Sequence, residues 1–204
     1  LKNPNPHRSG DRFVSPRRRR KNLFFLFLFA WTSRALLGVI SEDMVKIQVN
    51  KLHTLTGHND CIYALAEAPD PRYFFTGSGD GMVVLWDLDN PKDGKLIAKV
   101  NHSVYALEVD PQRNQLIVGH NFEGIHVIDL VDQKELWSLN ITNQSIFDIK
   151  VAGNNIFVGT ADGMVIVIDT ETRAVKKHLK ISDKSVRVLA LSPDGYHIAA
   201  GLSD

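Results

Sequence analysis

Three glycines alternate through FFTGSGDGMVVLWD, residues 74–87, at Gly77, Gly79 and Gly81. Glycine-rich loops cradle phosphates because backbone N–H groups approach an anion closely where no side chain intervenes. That chemistry needs a strand before the loop and a helix after it. Here the spacing is G-x-G-x-G, and the strand-like MVVLW follows. Asp80-Gly81 and Asp162-Gly163 therefore read as two-residue hairpin turns in which glycine supplies a positive φ. No cofactor is expected.

Eight histidines raise the question of a metal. His53 and His58 are five residues apart and His120 and His126 six apart, with no Cys or paired carboxylate at ligand spacing, so no metal site is expected. Asp87, Asp129 and Asp169 each end a strand-like run. They could form a ring, but an Asp repeated at strand ends serves as a turn or cap residue. Hydrolysis would need two carboxylates converging on one substrate, which spacing does not show. No Ser/His/Asp set has a supporting motif, and no catalytic residue is assigned. The single cysteine, Cys61, excludes an intrachain disulfide. Set in the apolar run CIYALA, it reads as a buried inert thiol, and a lone cysteine suits a reducing compartment.

The elements that position these residues are short. Runs of β-branched and aliphatic residues at 62–67, 72–76, 82–86, 95–100, 104–109, 115–118 and 125–129 are separated by Gly, Asp, Asn and Pro. The same pattern continues at 134–139, 145–151, 155–158, 164–169, 174–180, 185–191 and 196–200, and MVKIQVNKLHTL, from Met44, begins it. Long helical periodicity is absent, so the chain is all-β. GSGDGMVVLWD has counterparts in GHNFEGIHVID (119–129) and GTADGMVIVID (159–169), with GLSD from Gly201. The leading glycines are 42, 40 and 42 residues apart. A second landmark agrees: CIYALAEAPD, SVYALEVDPQ, SIFDIKVAGN and SVRVLALSPD recur at 42, 42 and 40. A period near 40 with four short strands per unit fits β-propeller blades of four antiparallel strands.

Residues 52–93 resemble a WD-repeat blade, with Gly57-His58, Pro69-Asp70, Thr76-Gly77-Ser78-Gly79-Asp80-Gly81 and Trp86-Asp87 in order. The resemblance implies a buried hydrogen-bonded tetrad of His58, Thr76, Asp80 and Trp86. The other units depart from it: Ile128 and Ile168 stand where Trp86 does, His58 has no clear counterpart, and Phe122 replaces the turn acid that Asp162 keeps. Units of about 52–93, 94–133, 134–173 and 174–204 make about three and two-thirds repeats. Propellers close with four to eight blades, so the expectation is an incomplete propeller, a fragment of a longer one.

After Ile62, Val104, Ile146 and Val186, at the start of each innermost strand, stand Tyr63, Tyr105, Phe147 and Arg187. In a propeller these positions lie on one circle near the channel mouth, where aromatics and arginine suit partner binding. Packing between blades is the other reading. The adjoining loops carry Asn59, Asp60, His102, Asn143 and Asp183 and would form the rim.

Charge divides the chain. Residues 1–43 hold 9 Lys/Arg against 3 Asp/Glu, and residues 44–204 hold 15 against 20. The acidic body gives no electrostatic reason to expect nucleic acid. The leader pairs a basic cluster at 17–21 with the apolar run Leu23–Trp31, the outline of a signal peptide. That run is too short to span a bilayer, so no membrane span is expected. No methionine precedes Met44, which opens the reading of a spurious or tag-like leader, and the arginine run taken alone reads as solvated and disordered.

These features point to a non-enzymatic scaffold that binds a protein or peptide through rim and channel mouth, working in the cytoplasm. The alternative is a propeller enzyme or cofactor binder, exported if residues 17–40 act as a signal. VIVIDTETRAVKK (165–177) resembles the repeats of quinoprotein-like and YVTN-type propellers.

Overall fold

The computed structural model describes residues 48–203, and the readings of the leader 1–43 lie outside the described residues. Among the described residues fourteen strands form, each within two residues of the runs of β-branched and aliphatic residues that specify it. The first sheet holds β1 (Ile62–Glu67), β2 (Tyr73–Ser78), β3 (Met82–Asp87) and β4 (Lys95–Lys99). The second holds β5 (Val104–Asp110), β6 (Gln115–His120), β7 (Gly124–Asp129) and β8 (Glu135–Asn140). β9 (Ile146–Ala152), β10 (Asn155–Thr160), β11 (Met164–Asp169) and β12 (Ala174–Lys180) make the third, and β13 (Val186–Leu191) pairs with β14 (Ile198–Leu202). Each sheet is antiparallel with its strands in chain order, the arrangement of a propeller blade.

Sheet and sequence unit are out of phase. β4 belongs to the first sheet by its pairing with β3, but lies in the stretch that opens the second sequence unit. One extended segment forms no strand. MVKIQVNKLHTL has a strand-like pattern, yet its described residues, 48–55, carry no ladder. An extended segment becomes a strand only against a partner edge, and none pairs with it among the described residues.

The middle strands of the second and third sheets are apolar on both faces because a neighbouring sheet lies on each side. β11, MVIVID, is buried over five of its six residues, whereas the outermost β12, AVKKHLK, is exposed except at Val175. The largest apolar cluster bridges two blades, joining Ile117, Ile125 and Val127 to Ile146, Ile149, Ile156 and Ile166. Each such side chain contributes roughly 1.5–3 kcal/mol on burial. The core therefore lies between sheets.

One close approach recurs in every blade interface. A Cβ on Gly77 would lie 2.5 Å from Val104 Cγ1, one on Gly119 2.8 Å from Ile146 Cγ2, and one on Gly159 2.8 Å from Val186 Cγ1. A glycine in the second strand thus receives the first β-branched residue of the next blade. Innermost strands follow as β1, β5, β9 and β13, each against the next; among the described residues β1 and β13 form no blade interface, so the propeller is not closed.

Candidate functional site: a bulge-borne aromatic arc and a hydrogen-bonded lock

Where each innermost strand begins, the pairing with its neighbour slips by one residue. Ile62 pairs Ser78 and Ala64 pairs Gly77, which leaves Tyr63 as the extra residue. Tyr105 is the extra residue between Val104 and Ala106, Phe147 between Ile146 and Asp148, and Arg187 between Val186 and Val188. A bulge bends its strand and re-aims one side chain.

Four bulges in one place therefore send four large side chains to the same face. The rings of Tyr63 and Tyr105 meet edge-on at 4.4 Å, and those of Tyr105 and Phe147 lie 5.7 Å apart. The guanidinium of Arg187 lies 3.9 Å from the centre of the Phe147 ring. Together with Ser145 they line an open depression of about 490 Å³. Tyr63 and Arg187 are exposed and Tyr105 and Phe147 half-buried. The Tyr105 phenol, and after it Cys61, holds the Tyr63 hydroxyl above its ordinary value.

The turn between β2 and β3 is fixed by a chain of hydrogen bonds. Trp86 Nε1–H donates to Thr76 Oγ1 at 2.8 Å, and that hydroxyl lies 2.7 Å from His58 Nε2. His58 Nδ1 lies 3.2 Å from Asp80 Oδ2. The carboxylate also accepts from the N–H groups of Asn59 and Met82. With Nδ1–H directed at Asp80, Nε2 accepts from the threonine hydroxyl, and every group has one partner per role. Burial pushes the Asp80 carboxyl up, but the two backbone N–H groups and His58 outweigh it and hold it below its ordinary value.

The turn differs from its expected form. Gly81 N–H donates to Ser78 O, so Gly79 and Asp80 are the central pair and Gly81 follows at φ +77°. This is a three-residue loop ending in a left-handed glycine, and Thr160–Gly163 repeats it.

The rim residues remain apart. Asn59, His102, Asn143 and Asp183 are all exposed on separate loops. The His102 ring stands edge-on to Phe122 at 5.4 Å, and Asp183 pairs with Lys180. Asp60 accepts from the Cys61 N–H.

Cys61 overturns its reading. It is exposed, not buried, because it precedes β1 by one residue and stands outside the sheet. The strand-ending acids act locally: Asp87 accepts from Arg72 and from the Asp89 N–H, Asp129 from the Val131 and Asp132 N–H groups, and Asp169 from those of Glu171 and Thr172.

Two constellations escaped the sequence reading. Lys150 Nζ lies 3.0 Å from Glu108 and 3.3 Å from Asp148, whose other oxygen accepts from the Leu189 N–H. Burial pushes Glu108 up, against the pull of Lys150. Glu108 and Lys150 are one 42-residue period apart, a signal that opposite charges at equivalent positions could have supplied.

In the second blade, His120 Nε2 lies 2.9 Å from His126 Nε2 and 3.6 Å from Glu123 Oε2. Linear spacing showed no carboxylate for this pair; the β6–β7 turn supplies one. Burial, and then the neighbouring His126, holds His120 below its ordinary value.

Comparison with known proteins identifies residues 49–87 with the family described as WD domain, G-beta repeat. Minichromosome loss protein 1 of Schizosaccharomyces pombe is 24% identical over 177 residues, 84% of this chain and 21% of the relative. WD repeat-containing protein SL1-17 of Schistosoma mansoni is 21% identical over 82% of this chain and 56% of its own length. Set1 complex component swd1 of S. pombe is 24% identical over 76% of this chain and 43% of its own length. The chain thus spans between about a fifth and just over a half of the curated relatives it matches.

Proposed function

We propose that this chain, whose residues 49–87 match the family described as WD domain, G-beta repeat, is a non-enzymatic scaffold that holds a protein or peptide on the arc of Tyr63, Tyr105, Phe147 and Arg187. The observation that carries this reading is the set of four bulges, which aim these side chains at one open depression. Aromatics offer large contact area at low entropic cost, and a stiff sheet loses little freedom on binding. Arg187 has no acidic partner among the described residues, which leaves its guanidinium donors for a carboxylate or carbonyl of the bound segment.

The loops bearing Asn59, His102, Asn143 and Asp183 form the rim that such a segment crosses. One matched relative is named as a component of the Set1 complex, which supports a role among protein partners. The acidic body favours protein over nucleic acid. No helix among the described residues is long and apolar enough to cross a membrane.

The test is a peptide array probed with the whole chain and with Tyr63→Ala, Tyr105→Ala and Arg187→Ala. Each substitution is expected to weaken captured binding about tenfold or more, as central aromatic and arginine contacts do. Unaltered binding in all three, with the circular dichroism of the parent, overturns the reading.

A further inference from the structure

The geometry assigns a divalent metal site, of zinc-like chemistry, to His120, Glu123 and His126 at the β6–β7 turn. Their ligand atoms all lie within 4.8 Å of one another. Tetrahedral zinc with bonds of about 2.0–2.1 Å separates its ligands by about 3.3 Å. The separations of 2.9 Å between the imidazole nitrogens and 3.6 Å from His120 to Glu123 bracket that value. Glu123 and His126 are farther apart, within 4.8 Å, so Glu123 closes on His126 when the ion binds.

The repeats provide an internal comparison. Strand pairing places Gly77, Gly119 and Gly159 in one register, opposite Val83, Ile125 and Val165. Counting from these, His120 stands where the other blades have Ser78 and Thr160. Glu123 stands where they have Gly81 and Gly163, and His126 where they have Val84 and Ile166. Three positions change together from non-ligands to ligands, and the three converge.

The turn is rebuilt to allow it. The other two turns take the left-handed conformation at Gly81 and Gly163; in this one it moves to Phe122, at φ 68°. Glu123 is thereby freed of a constraint that favours glycine. A non-glycine residue in that conformation is strained, and such strain gathers at functional sites.

An outer partner is already present. His126 Nδ1 lies 2.8 Å from Glu135 Oε2, so its proton sits on Nδ1 and its Nε2 lone pair faces His120 and Glu123. A carboxylate behind an imidazole is the usual support of a metal-bound histidine. His120 is 1% exposed, and its Nδ1 has no partner among the described residues. A hydrogen bond between the two imidazoles accounts for their contact but leaves the carboxylate unused. Ser138 and Asn140 line a cavity of about 90 Å³ beside the three, with room for a fourth ligand such as water.

The test is calorimetric titration of the untagged, chelator-treated whole chain with Zn(II), with Co(II) as a spectroscopic probe. One equivalent of Zn(II) is expected to bind, and Co(II) to give the visible absorption of a tetrahedral nitrogen and oxygen site. Glu123→Gln and His126→Ala are expected to weaken Zn(II) binding at least tenfold, and Glu135→Gln about 10- to 100-fold. His178→Ala, at an exposed position on β12, is expected to leave it unchanged. Should His126→Ala fail to fold, Glu123→Gln carries the test, because its side chain is 43% exposed. No saturable single site, equal affinity in Glu123→Gln, or equal weakening in His178→Ala overturns the proposal.

Discussion

The indole N–H of Trp86 donates to Thr76 Oγ1 at 2.8 Å, and both residues are 2% exposed. This contact joins the far end of β3 to the middle of β2 and anchors the chain that runs through His58 to the Asp80 turn. Trp86→Ala removes the donor and opens a large cavity, and is expected to cost about 3–5 kcal/mol. Thr76→Val leaves the Trp86 N–H and His58 Nε2 unpaired at constant size, at about 1–3 kcal/mol. Denaturant midpoints check both; a midpoint unchanged in Trp86→Ala contradicts a buried ring.

Acid stability follows from Asp80. Its folded-state value lies below the ordinary one, so its contribution is present in full above the unfolded carboxylate value, near about 3.9. It fades as pH falls through the folded value. Asp80→Asn is expected to be less stable than the parent at neutral pH and to lose less between about pH 5 and pH 2. Parallel stability curves for the two proteins would exclude this linkage.

The blade interface can be wedged. Gly77→Ala places a methyl group against Val104, and is expected to destabilise by about 1–3 kcal/mol, as overpacking does. Combining it with Val104→Ala is expected to recover part of that loss. A double-mutant cycle measures the coupling, and strict additivity would show that the two do not meet.

The leader gives a further expectation. A chain beginning at Met44 is expected to keep the thermal midpoint of the whole chain, since the propeller motifs all follow that residue. A lower midpoint or loss of soluble protein would tie residues 1–43 to the fold.

Period and alternation made the fourteen strands legible, because β-branched runs and turn residues act locally. The lock was legible only through family resemblance, since His58 lies 18 residues from Thr76 and 22 from Asp80. Register was not legible. That Tyr63 and its three equivalents are bulge residues depends on which residue β1 pairs with in β2, a long-range matter. Cys61 was misread for a related reason: apolar neighbours imply burial only inside the strand, and it stands one residue outside. Glu123 was passed over because ligand spacing was judged between histidines, whereas a hairpin turn folds the intervening residues back between them.

The glycine of β2, β6 and β10 acts as a gauge between blades. With no side chain there, each following blade closes until its first valine or isoleucine seats against the glycine, and that contact limits how near consecutive sheets approach. The spacing of the rings at Tyr63, Tyr105 and Phe147 follows from this approach, because Tyr105 and Phe147 ride on β5 and β9, the strands that Gly77 and Gly119 admit. A search for variants that alter recognition should therefore return substitutions at Gly77 and Gly119, which a bound segment would never touch. Their signature would be a graded change in ligand preference, as the arc opens by a small step at one joint.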